Sequence, residues 1–262
     1  MSADPDLRKL LAVAQDAAFV GGRRTLAYFR TGTAAAESKA DQTPVTLADR
    51  ESERLIRGII GRAFPDHSVL GEEDGETAGS APVRWIVDPL DGTRTFVRGV
   101  PLYGTLIGVE VAGEPCVGVV YLPALDEMVA AARGLGCTWN GRPCRVSNAT
   151  ALEEALAVVT DERSARTRSG AWDRLVARTA MQRTWADCYG YVLVATGRAE
   201  VAIDPVMNVW DCAALLPIVE EAGGRFTDWS GRRTIHGGEA VATNGALHHA
   251  VLALLAEPVH GR

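Results

Sequence analysis

The sequence predicts an α/β fold, and three observations support this fold class. Two segments with apolar residues at helical spacing open the chain. Several β-rich segments separated by turn residues follow between residues 102 and 146. After residue 148, strand-like and helix-like segments alternate to the end of the sequence, which is typical of α/β architecture.

Composition limits the possible functions. A chain of 262 residues, 47% hydrophobic and 23% charged, can form one large globular domain or two of ordinary size. The net charge of −6 argues against nucleic acid as a general partner. No apolar run approaches the roughly 18 residues of a membrane span. Five scattered cysteines without a Cys-x-x-Cys pair predict reduced thiols in a cytoplasmic protein.

The first part of the chain is predicted to hold two helices and two short strands. Residues 5–29 carry leucines, alanines and a phenylalanine at helical spacing. A second helix is predicted to begin at Thr46, because Thr46 and Asp49 have the spacing of a capping box and an apolar pattern follows. Val69-Leu70 and Trp85–Val87 are short apolar runs that predict strands, and Pro89 predicts that the chain leaves the second strand there.

An antiparallel meander packed on the first two helices is predicted next. Its strands are residues 106–111, 116–121 and 128–131. Asn140-Gly141 then predicts a tight hairpin turn.

The last part of the chain is predicted to alternate between strands and helices. The predicted strands are 155–160, 200–203 and 241–243, and the predicted helices are 170–179, 189–196, 209–222 and 246–256. Gly223-Gly224 is typical of a helix end, and Pro217 predicts a kink in the helix before it. A domain boundary is predicted near residue 148. Residues 1–148 would form an α+β domain with an antiparallel sheet, and residues 149–262 an α/β domain.

Asp88-Pro89-Leu90-Asp91-Gly92-Thr93 is the segment most suggestive of chemistry. It places two carboxylates close together after a buried strand, where open α/β sheets bind ligands. Oxygen-only ligands favour a hard cation, magnesium before calcium or manganese. Gly92 would let backbone amides approach an anion. The alternative is an ordinary turn, since Asp, Pro and Gly are common turn residues.

Three further acids have both a functional and a purely structural interpretation. Glu72 follows an apolar run and a glycine, as Asp88 follows its strand, but it could belong to a solvated acidic loop. Asp49 and Asp211 lie in the first turns of predicted helices, where a carboxylate is favoured by the helix dipole alone.

Taken together, these motifs resemble those of the inositol monophosphatase family. Gly71-Glu72-Glu73, the segment from Asp88 to Thr93, Trp210-Asp211 and Glu220–Gly224 occur in the family's order and spacing over nearly the whole chain. The resemblance implies a layered α/β/α/β/α sandwich of the inositol monophosphatase and fructose-1,6-bisphosphatase type. It also implies magnesium-dependent hydrolysis of phosphate monoesters, with two to three Mg²⁺ ions per active site, and a homodimer.

Matching positions imply specific roles. The resemblance implies metal ligands at Glu72, Asp88, the Leu90 carbonyl, Asp91 and Asp211, with Asp49 helping to hold a further magnesium ion. Glu72 and Thr93 would orient the attacking water. Because general acid–base catalysis supplies only ~10²–10⁴ of an acceleration that reaches ~10²¹-fold for such esters, most of the effect must be electrostatic and positional.

Within the family, two segments look like the histidinol-phosphate phosphatases. These are Arg94–Ile107 and Trp185–Tyr191, which depart from the patterns typical of inositol phosphatases. Histidinol phosphate carries an ammonium and an imidazole, so acids are expected in the substrate pocket, and Asp187 and Asp204 are the candidates. Asp187 could instead cap the helix that begins at Cys188. The residues assigned to substrate binding are Asp91, Gly92, Thr93, Arg94, Arg183, Asp187, Asp204 and Asp211.

Other activities are less well supported. Haloacid dehalogenase-type phosphatases need acids at i and i+2, whereas Asp88 and Asp91 are three apart. No Gly-x-Gly-x-x-Gly follows a strand, and no EF-hand pattern is present. An inositol-1-phosphatase, a broad-specificity sugar or polyol phosphatase, and a catalytically inactive metal-binding scaffold remain as alternatives.

Overall fold

The helices of the protein are distributed along the whole chain. The computed structural model describes residues 5–31, 37–38, 44–185 and 187–256, with backbone only at 37, 38, 44, 45 and 169. Its helices are α1 (Leu7–Thr25), α2 (Leu47–Ala63), α3 (Thr93–Val97), α4 (Glu162–Ser169), α5 (Ala171–Val176), α6 (Cys188–Ala195), α7 (Val209–Ala213), α8 (Leu215–Glu221) and α9 (His248–Ala256). No helix in the described part of the chain is long and apolar enough to cross a membrane.

The strands form two large sheets and one small pair. They are β1 (Glu37–Ser38), β2 (Pro44–Val45), β3 (Ser68–Gly71), β4 (Gly75–Thr77), β5 (Val83–Asp91), β6 (Gly104–Val111), β7 (Glu114–Leu122), β8 (Glu127–Ala132), β9 (Gly136–Trp139), β10 (Arg142–Pro143), β11 (Leu156–Val159), β12 (Met181–Arg183), β13 (Val201–Asp204), β14 (Arg225–Thr227) and β15 (Ala240–Thr243). One sheet has the order β10-β9-β8-β7-β6-β5-β3-β4, the other β12-β11-β13-β15-β14, and β1 pairs with β2.

Three apolar cores separate the layers of the molecule. Side chains alternate across β5, so Trp85 and Val87 pack under α1 and α2, while Ile86 faces the core shared with α6, α8 and the second sheet. Ile203 in β13 faces a third core with Trp172 of α5 and with α9. Helices, sheet, helices, sheet and helices therefore follow one another, which confirms the predicted layered α/β/α/β/α sandwich.

Most predicted elements are confirmed. Thr46 caps α2 through a capping box with Asp49, and the meander and the Asn140-Gly141 turn are present. The predicted helix 209–222 is two helices broken at Ala214, which places Pro217 in the first turn of α8, where its missing N–H has no helical acceptor to satisfy. The boundary near residue 148 stays a prediction.

The predicted strand exit at Pro89 is wrong. β5 continues to Asp91, with a register shift against β6 between Asp88 and Asp91. The irregular pairing there suits proline, which has no N–H to donate to a ladder. Its carbonyl is held from both sides, accepting bonds from the hydroxyls of Ser52 at 3.3 Å and Thr105 at 2.8 Å. The two carboxylates are therefore fixed on a strand end rather than on a free loop.

Two glycines let α7 and α8 approach the first sheet closely. Gly108 and Gly118 are cross-strand partners in β6 and β7. A Cβ atom at Gly108 would lie 2.5 Å from the Cβ of Ala213, and one at Gly118 would lie 2.1 Å from the Ala214 carbonyl oxygen. Because α7 carries Asp211, this contact also sets the position of a predicted metal ligand.

We expect Gly118→Ala to lower the free energy of unfolding by about 1–3 kcal/mol, since the new methyl group overlaps backbone that cannot move away. Gly61→Ala is a matched control, because Gly61 lies inside α2 with nothing within 4 Å of its Cβ position. That control should raise stability by about 0.5–1 kcal/mol through helix propensity. Urea unfolding measures both variants, and equal stability of the two would contradict the close-contact explanation.

Candidate active site

Three carboxylates from two distant parts of the chain meet where the end of β5 approaches the first turn of α7. Oxygen atoms of Asp88, Asp91 and Asp211 all lie within 4.8 Å of one another. Asp88 Oδ1 accepts the Leu90 N–H at 2.9 Å, and Asp91 Oδ2 accepts the Cys188 N–H at 2.6 Å. Backbone donors therefore fix the direction in which each β5 carboxylate points.

The negative charges of this cluster favour the binding of a cation. Burial, and then the charges of Glu72, Asp91 and Asp211, raise the pKa of Asp88 well above its usual value. Burial also raises the pKa of Asp91, and that of Asp211 to about 7 although Asn208 donates to the Asp211 carboxylate. Carboxylates so placed either take up protons or bind a metal ion. The all-oxygen donor set fits a hard divalent cation such as Mg²⁺.

The cluster forms the floor of two adjoining cavities. The first has a volume of about 140 Å³ and is lined by Glu72, Asp88, Leu90, Asp91, Gly92, Thr93, Arg94, Asp187, Asn208, Trp210 and Asp211. The second, of about 80 Å³, is lined by Asp91, Thr160, Asp187, Cys188, Tyr191, Asp204, Val206, Met207, Asp211 and Leu215. Asp91, Asp187 and Asp211 belong to both, so the two cavities meet at the carboxylates.

Asp49 reaches this region from the first turn of α2. Its Oδ2 accepts the Thr46 N–H at 2.8 Å and the Thr46 hydroxyl at 2.6 Å, while its Oδ1 accepts the Thr93 hydroxyl at 3.2 Å. The Thr93 hydroxyl also lies 3.1 Å from the Leu90 carbonyl oxygen. Burial raises the pKa of Asp49, and the bonds from Thr46 oppose that rise.

Asp49 and Asp211 occupy the same position in the capping boxes of their helices. Each is the third helical residue of a capping box, and Asp211 Oδ2 accepts the Asn208 N–H at 2.7 Å, as Asp49 accepts that of Thr46. The helix-stabilising interpretation of these acids is therefore correct. It is also compatible with a role in the site, because capping occupies one carboxylate oxygen and leaves the other directed elsewhere.

Glu72 lines the first cavity because β3 and β5 are parallel neighbours. Their carboxyl ends lie at the same edge of the sheet, and the Glu72 N–H donates to the Val87 carbonyl at 3.1 Å. Buried Glu53 of α2 holds the following turn, accepting the N–H groups of Glu73 at 2.9 Å and Asp74 at 3.1 Å. Sequence analysis missed Glu53, although it lies four residues after Asp49 on the same helix face.

Arg57 completes this support, since its Nε donates to Glu53 at 2.8 Å and its Nη1 to the Thr77 hydroxyl at 3.1 Å. We expect Glu53→Gln to loosen the turn, because an amide has one acceptor oxygen and its NH₂ group cannot replace the second carboxylate oxygen, so one of the three donors loses its acceptor. Hydrogen exchange at Glu73 and Asp74 should lose about 1.5–3 kcal/mol of protection. Glu51→Gln on the same helix is the control, and unchanged exchange in Glu53→Gln would contradict this role.

Asp187 and Asp204 both face the second cavity. Asp187 has φ 56° and occupies the N-cap position of α6, but its side chain makes no capping bond. Its Oδ2 instead accepts the Thr95 hydroxyl at 3.0 Å, which rules out simple helix capping. Asp204 at the end of β13 accepts the Thr160 N–H at 2.9 Å, and burial raises its pKa to about 7.

Arg183 lies apart from the carboxylates. It is exposed on edge strand β12, donates to the Gln182 carbonyl at 2.6 Å and lies over the Trp185 ring. It lines neither cavity described above.

Thr160, which the sequence analysis missed, makes hydrogen bonds to both candidate acids. Its N–H donates to the Asp204 carboxylate, and its hydroxyl accepts the Asp187 N–H at 3.0 Å. Its signal was available, since it follows β11 directly, as Asp204 ends the parallel neighbour β13.

A layered α/β sandwich with a carboxylate cluster at its strand ends is typical of metal-dependent hydrolases. Comparison with protein families specifies it further, since the model of the inositol monophosphatase family matches residues 6–260. The chain belongs to the inositol monophosphatase family. It is accordingly a phosphoric monoester hydrolase that acts on a small phosphorylated substrate, so the inactive scaffold left open by the sequence is set aside.

Individual relatives agree with this assignment. The chain is 46% identical over 255 residues to a histidinol-phosphatase of Chlorobaculum parvum, covering 96% of each chain. It is 43% identical over 226 residues to a histidinol-phosphatase of Mycobacterium tuberculosis, covering 84% of this chain and 87% of the relative. An inositol monophosphatase structure from Anabaena superposes with a TM-score of 0.84 at 31% identity, covering 97% and 99% of the two chains.

Proposed function

We propose that the protein is a magnesium-dependent histidinol-phosphate phosphatase. It would convert L-histidinol phosphate and water to L-histidinol and phosphate in histidine biosynthesis, in the cytoplasm. The observation that carries the proposal is the second cavity, in which Asp187 and Asp204 lie beside Asp91 and Asp211 of the carboxylate cluster. A substrate that carries an ammonium group and an imidazole beyond its phosphate matches that arrangement. The names of the relatives at 43% and 46% identity support the same substrate.

The cluster supplies the donors that such an activity needs. Glu72, Asp88, the Leu90 carbonyl, Asp91 and Asp211 would hold two Mg²⁺ ions, and Asp49 would help to hold a third. When bound, these ions neutralise the phosphoryl oxygens, stabilise the leaving oxygen and lower the pKa of water. The mutually repelling carboxylates of the cluster, buried at Asp88 and half-buried at Asp91 and Asp211, support this assignment.

The chain's own residues would orient the reactants around that centre. Gly92 has φ 87°, and a Cβ atom there would lie 2.7 Å from Asp187 Oδ2, so only glycine allows the loop and Asp187 to approach so closely. The Gly92, Thr93 and Arg94 segment lines the first cavity and would hold the phosphate. Glu72 and Thr93 would orient the attacking water, since both border the same cavity. With this division of roles, the phosphate would bind in the first cavity and the leaving group in the second.

Asp187 and Asp204 would recognise the histidinol moiety. Burial raises the pKa of both carboxyl groups, and an ammonium group beside them would favour their ionised forms. Arg183 was assigned to substrate binding by resemblance. That role stays a prediction, because its guanidinium already contacts Gln182 and Trp185 on an exposed edge strand.

We expect Asp187→Asn and Asp204→Asn to weaken transition-state stabilisation for histidinol phosphate by about 1.5–3 kcal/mol, the range for a hydrogen bond to a charged group. Steady-state kcat/KM for glycerol phosphate should barely change, because its tail is neutral. Asp16→Asn, on an exposed position of α1, is the control. Equal losses on both substrates would overturn the assignment of the pocket, and the phosphatase activity itself is tested by the glycerol phosphate reaction.

The alternative is an inositol-1-phosphatase or a broad-specificity sugar or polyol phosphatase, and the Anabaena match favours keeping it in the assay. A panel of histidinol phosphate, inositol 1-phosphate and glycerol phosphate at saturating Mg²⁺ separates these activities. Faster turnover of inositol phosphate than of histidinol phosphate would favour an inositol-1-phosphatase instead.

We also propose that the protein is a homodimer, on the basis of the family resemblance. Light scattering after size exclusion measures the mass of the particle and tests this.

A further inference from the structure

A pair of cysteines lies in the hairpin formed by β9 and β10, away from the carboxylates. Cys137 is in β9, and Cys144 directly follows β10. The pairing of Trp139 with Arg142 and of Thr138 with Pro143 continues to these two residues, and the Cys144 N–H donates to the Cys137 carbonyl at 3.0 Å. Their sulfur atoms are 3.5 Å apart. Neither residue lines the two cavities of the candidate active site.

This geometry is compatible with a disulfide bond. Cys137 and Cys144 continue the register of β9 and β10, and directly opposite residues in an antiparallel pair have Cα atoms about 4.5–5.5 Å apart. That separation falls within the range of about 4.4–6.8 Å found for disulfides. The sulfur atoms would have to close to about 2.05 Å, a movement that side-chain rotation supplies. The backbone of the hairpin is therefore already placed for a cross-strand bond.

The two thiols differ in accessibility and acidity. Cys144 is partly exposed, whereas Cys137 is buried in the core between the sheets. The hydrogen bond between the two sulfur atoms lowers the pKa of Cys144, and the positive charge of Arg198 lowers it further. The same hydrogen bond, together with burial, raises the pKa of Cys137. Cys144 is thus the more accessible and more acidic thiol of the pair, and the one that a reagent from solution meets first.

Arg198 is held beside the hairpin by two contacts. Its guanidinium lies 4.3 Å from the Trp139 ring centre and pairs with Glu127 at 3.0 Å. Because both contacts come from β8 and β9, the cation is held against the hairpin, where its charge acts on the Cys144 thiol. A fixed cation near a partly exposed thiol is the environment in which cysteines become reactive.

We propose that Cys137 and Cys144 form a reversible redox site that takes a small-molecule disulfide, such as glutathione disulfide, as its oxidant. The Cys144 thiolate attacks one sulfur of the reagent, the reagent's S–S bond breaks, and one glutathione thiolate leaves. Cys137 then gives up its proton and attacks the Cys144 sulfur of the mixed disulfide, releasing the second glutathione. Two protein thiols are oxidised to one disulfide, and one glutathione disulfide is reduced to two thiols.

The three remaining cysteines provide an internal comparison. Cys116, Cys188 and Cys212 are buried, and burial raises the pKa of each thiol. Cys188 and Cys212 lie beside the aspartates of the site, which raise their pKa values further. These thiols are therefore expected to stay reduced under conditions that oxidise the hairpin pair.

The test equilibrates the folded full-length chain in glutathione buffers of increasing oxidation and then traps free thiols by alkylation. Peptide mapping without reduction should show a Cys137–Cys144 link that a thiol reductant reverses. Cys137→Ser should accumulate a glutathione adduct on Cys144, because no resolving thiol remains. Cys144→Ser should form an adduct on Cys137 at least about tenfold more slowly, because the remaining thiol is buried and less acidic. Cys116→Ser should behave as the unmodified chain.

Each outcome decides the proposal. A linked peptide with the stated asymmetry between the two variants supports it. Equal adduct rates in the two variants, a stable adduct on Cys144 of the unmodified chain, or a link that forms only in denaturant would overturn it. Circular dichroism confirms that each variant is folded, and the peptide map of the unmodified chain answers the question even if one variant fails to fold.

Discussion

Asp91→Asn is expected to remove nearly all phosphatase turnover while leaving the fold intact. The residue is central to the carboxylate cluster, lying between the Leu90 carbonyl and the Gly92 amide and lining both cavities. As a ligand shared by two metal ions, it should contribute well over 1.4 kcal/mol, so kcat should fall below about a tenth of its original value. Asparagine keeps the shape of the side chain, which makes charge the main property that changes.

Stability gives a second readout for the same variant. Burial and the neighbouring acids Asp187 and Asp211 raise the pKa of Asp91, so its ionised form opposes folding of the metal-free protein at neutral pH. Asp91→Asn should therefore be no less stable than the original protein without Mg²⁺, yet gain less thermal stability when Mg²⁺ is added. Asp74→Asn, in the exposed turn after β3, is the control. If Asp91→Asn retained more than a tenth of the original kcat at saturating Mg²⁺, the assignment of Asp91 as a shared ligand would be wrong.

Local sequence signals predicted the main elements of the fold but not its short ones. The Thr46 and Asp49 spacing and the Asn140-Gly141 turn act within a few residues, so their structures follow from the sequence directly. Helix α4 was missed because Ala165 is its only buried residue among those described there, so no apolar periodicity marks it. Strands β4, β12 and β14 have three residues each, too few to show alternation.

The candidate site was predictable where its residues are close in sequence. Asp88 and Asp91 lie three apart, and their proximity could be inferred from the strand that precedes them. Asp211 joins them only because the Gly108 and Gly118 contact brings α7 against the sheet, and no local pattern reports such packing. The resemblance to a family supplied that long-range information. The unusual backbone of Asp187, which turns its side chain from α6 to Thr95, had no signal in the sequence.

The contacts of Thr93 predict a second large effect on turnover. Its hydroxyl lies 3.2 Å from Asp49 Oδ1 and 3.1 Å from the Leu90 carbonyl oxygen, so it connects two of the proposed ligand groups at the mouth of the first cavity. A hydroxyl has one proton to donate and two lone pairs with which to accept. Donation to Asp49 or Leu90 thus leaves the oxygen free to accept a hydrogen bond from the attacking water.

Thr93→Ala should therefore lower kcat at least about a hundredfold, the lower end of what positioned proton transfer contributes, with little change in KM. Thr93→Ser keeps the hydroxyl and should restore kcat to within about tenfold, which separates the hydrogen bond from the packing of the methyl group. Steady-state kinetics at saturating Mg²⁺ measure both variants. A rise in KM at constant kcat would assign Thr93 to ground-state binding of phosphate instead, because only an interaction confined to the transition state lowers kcat alone.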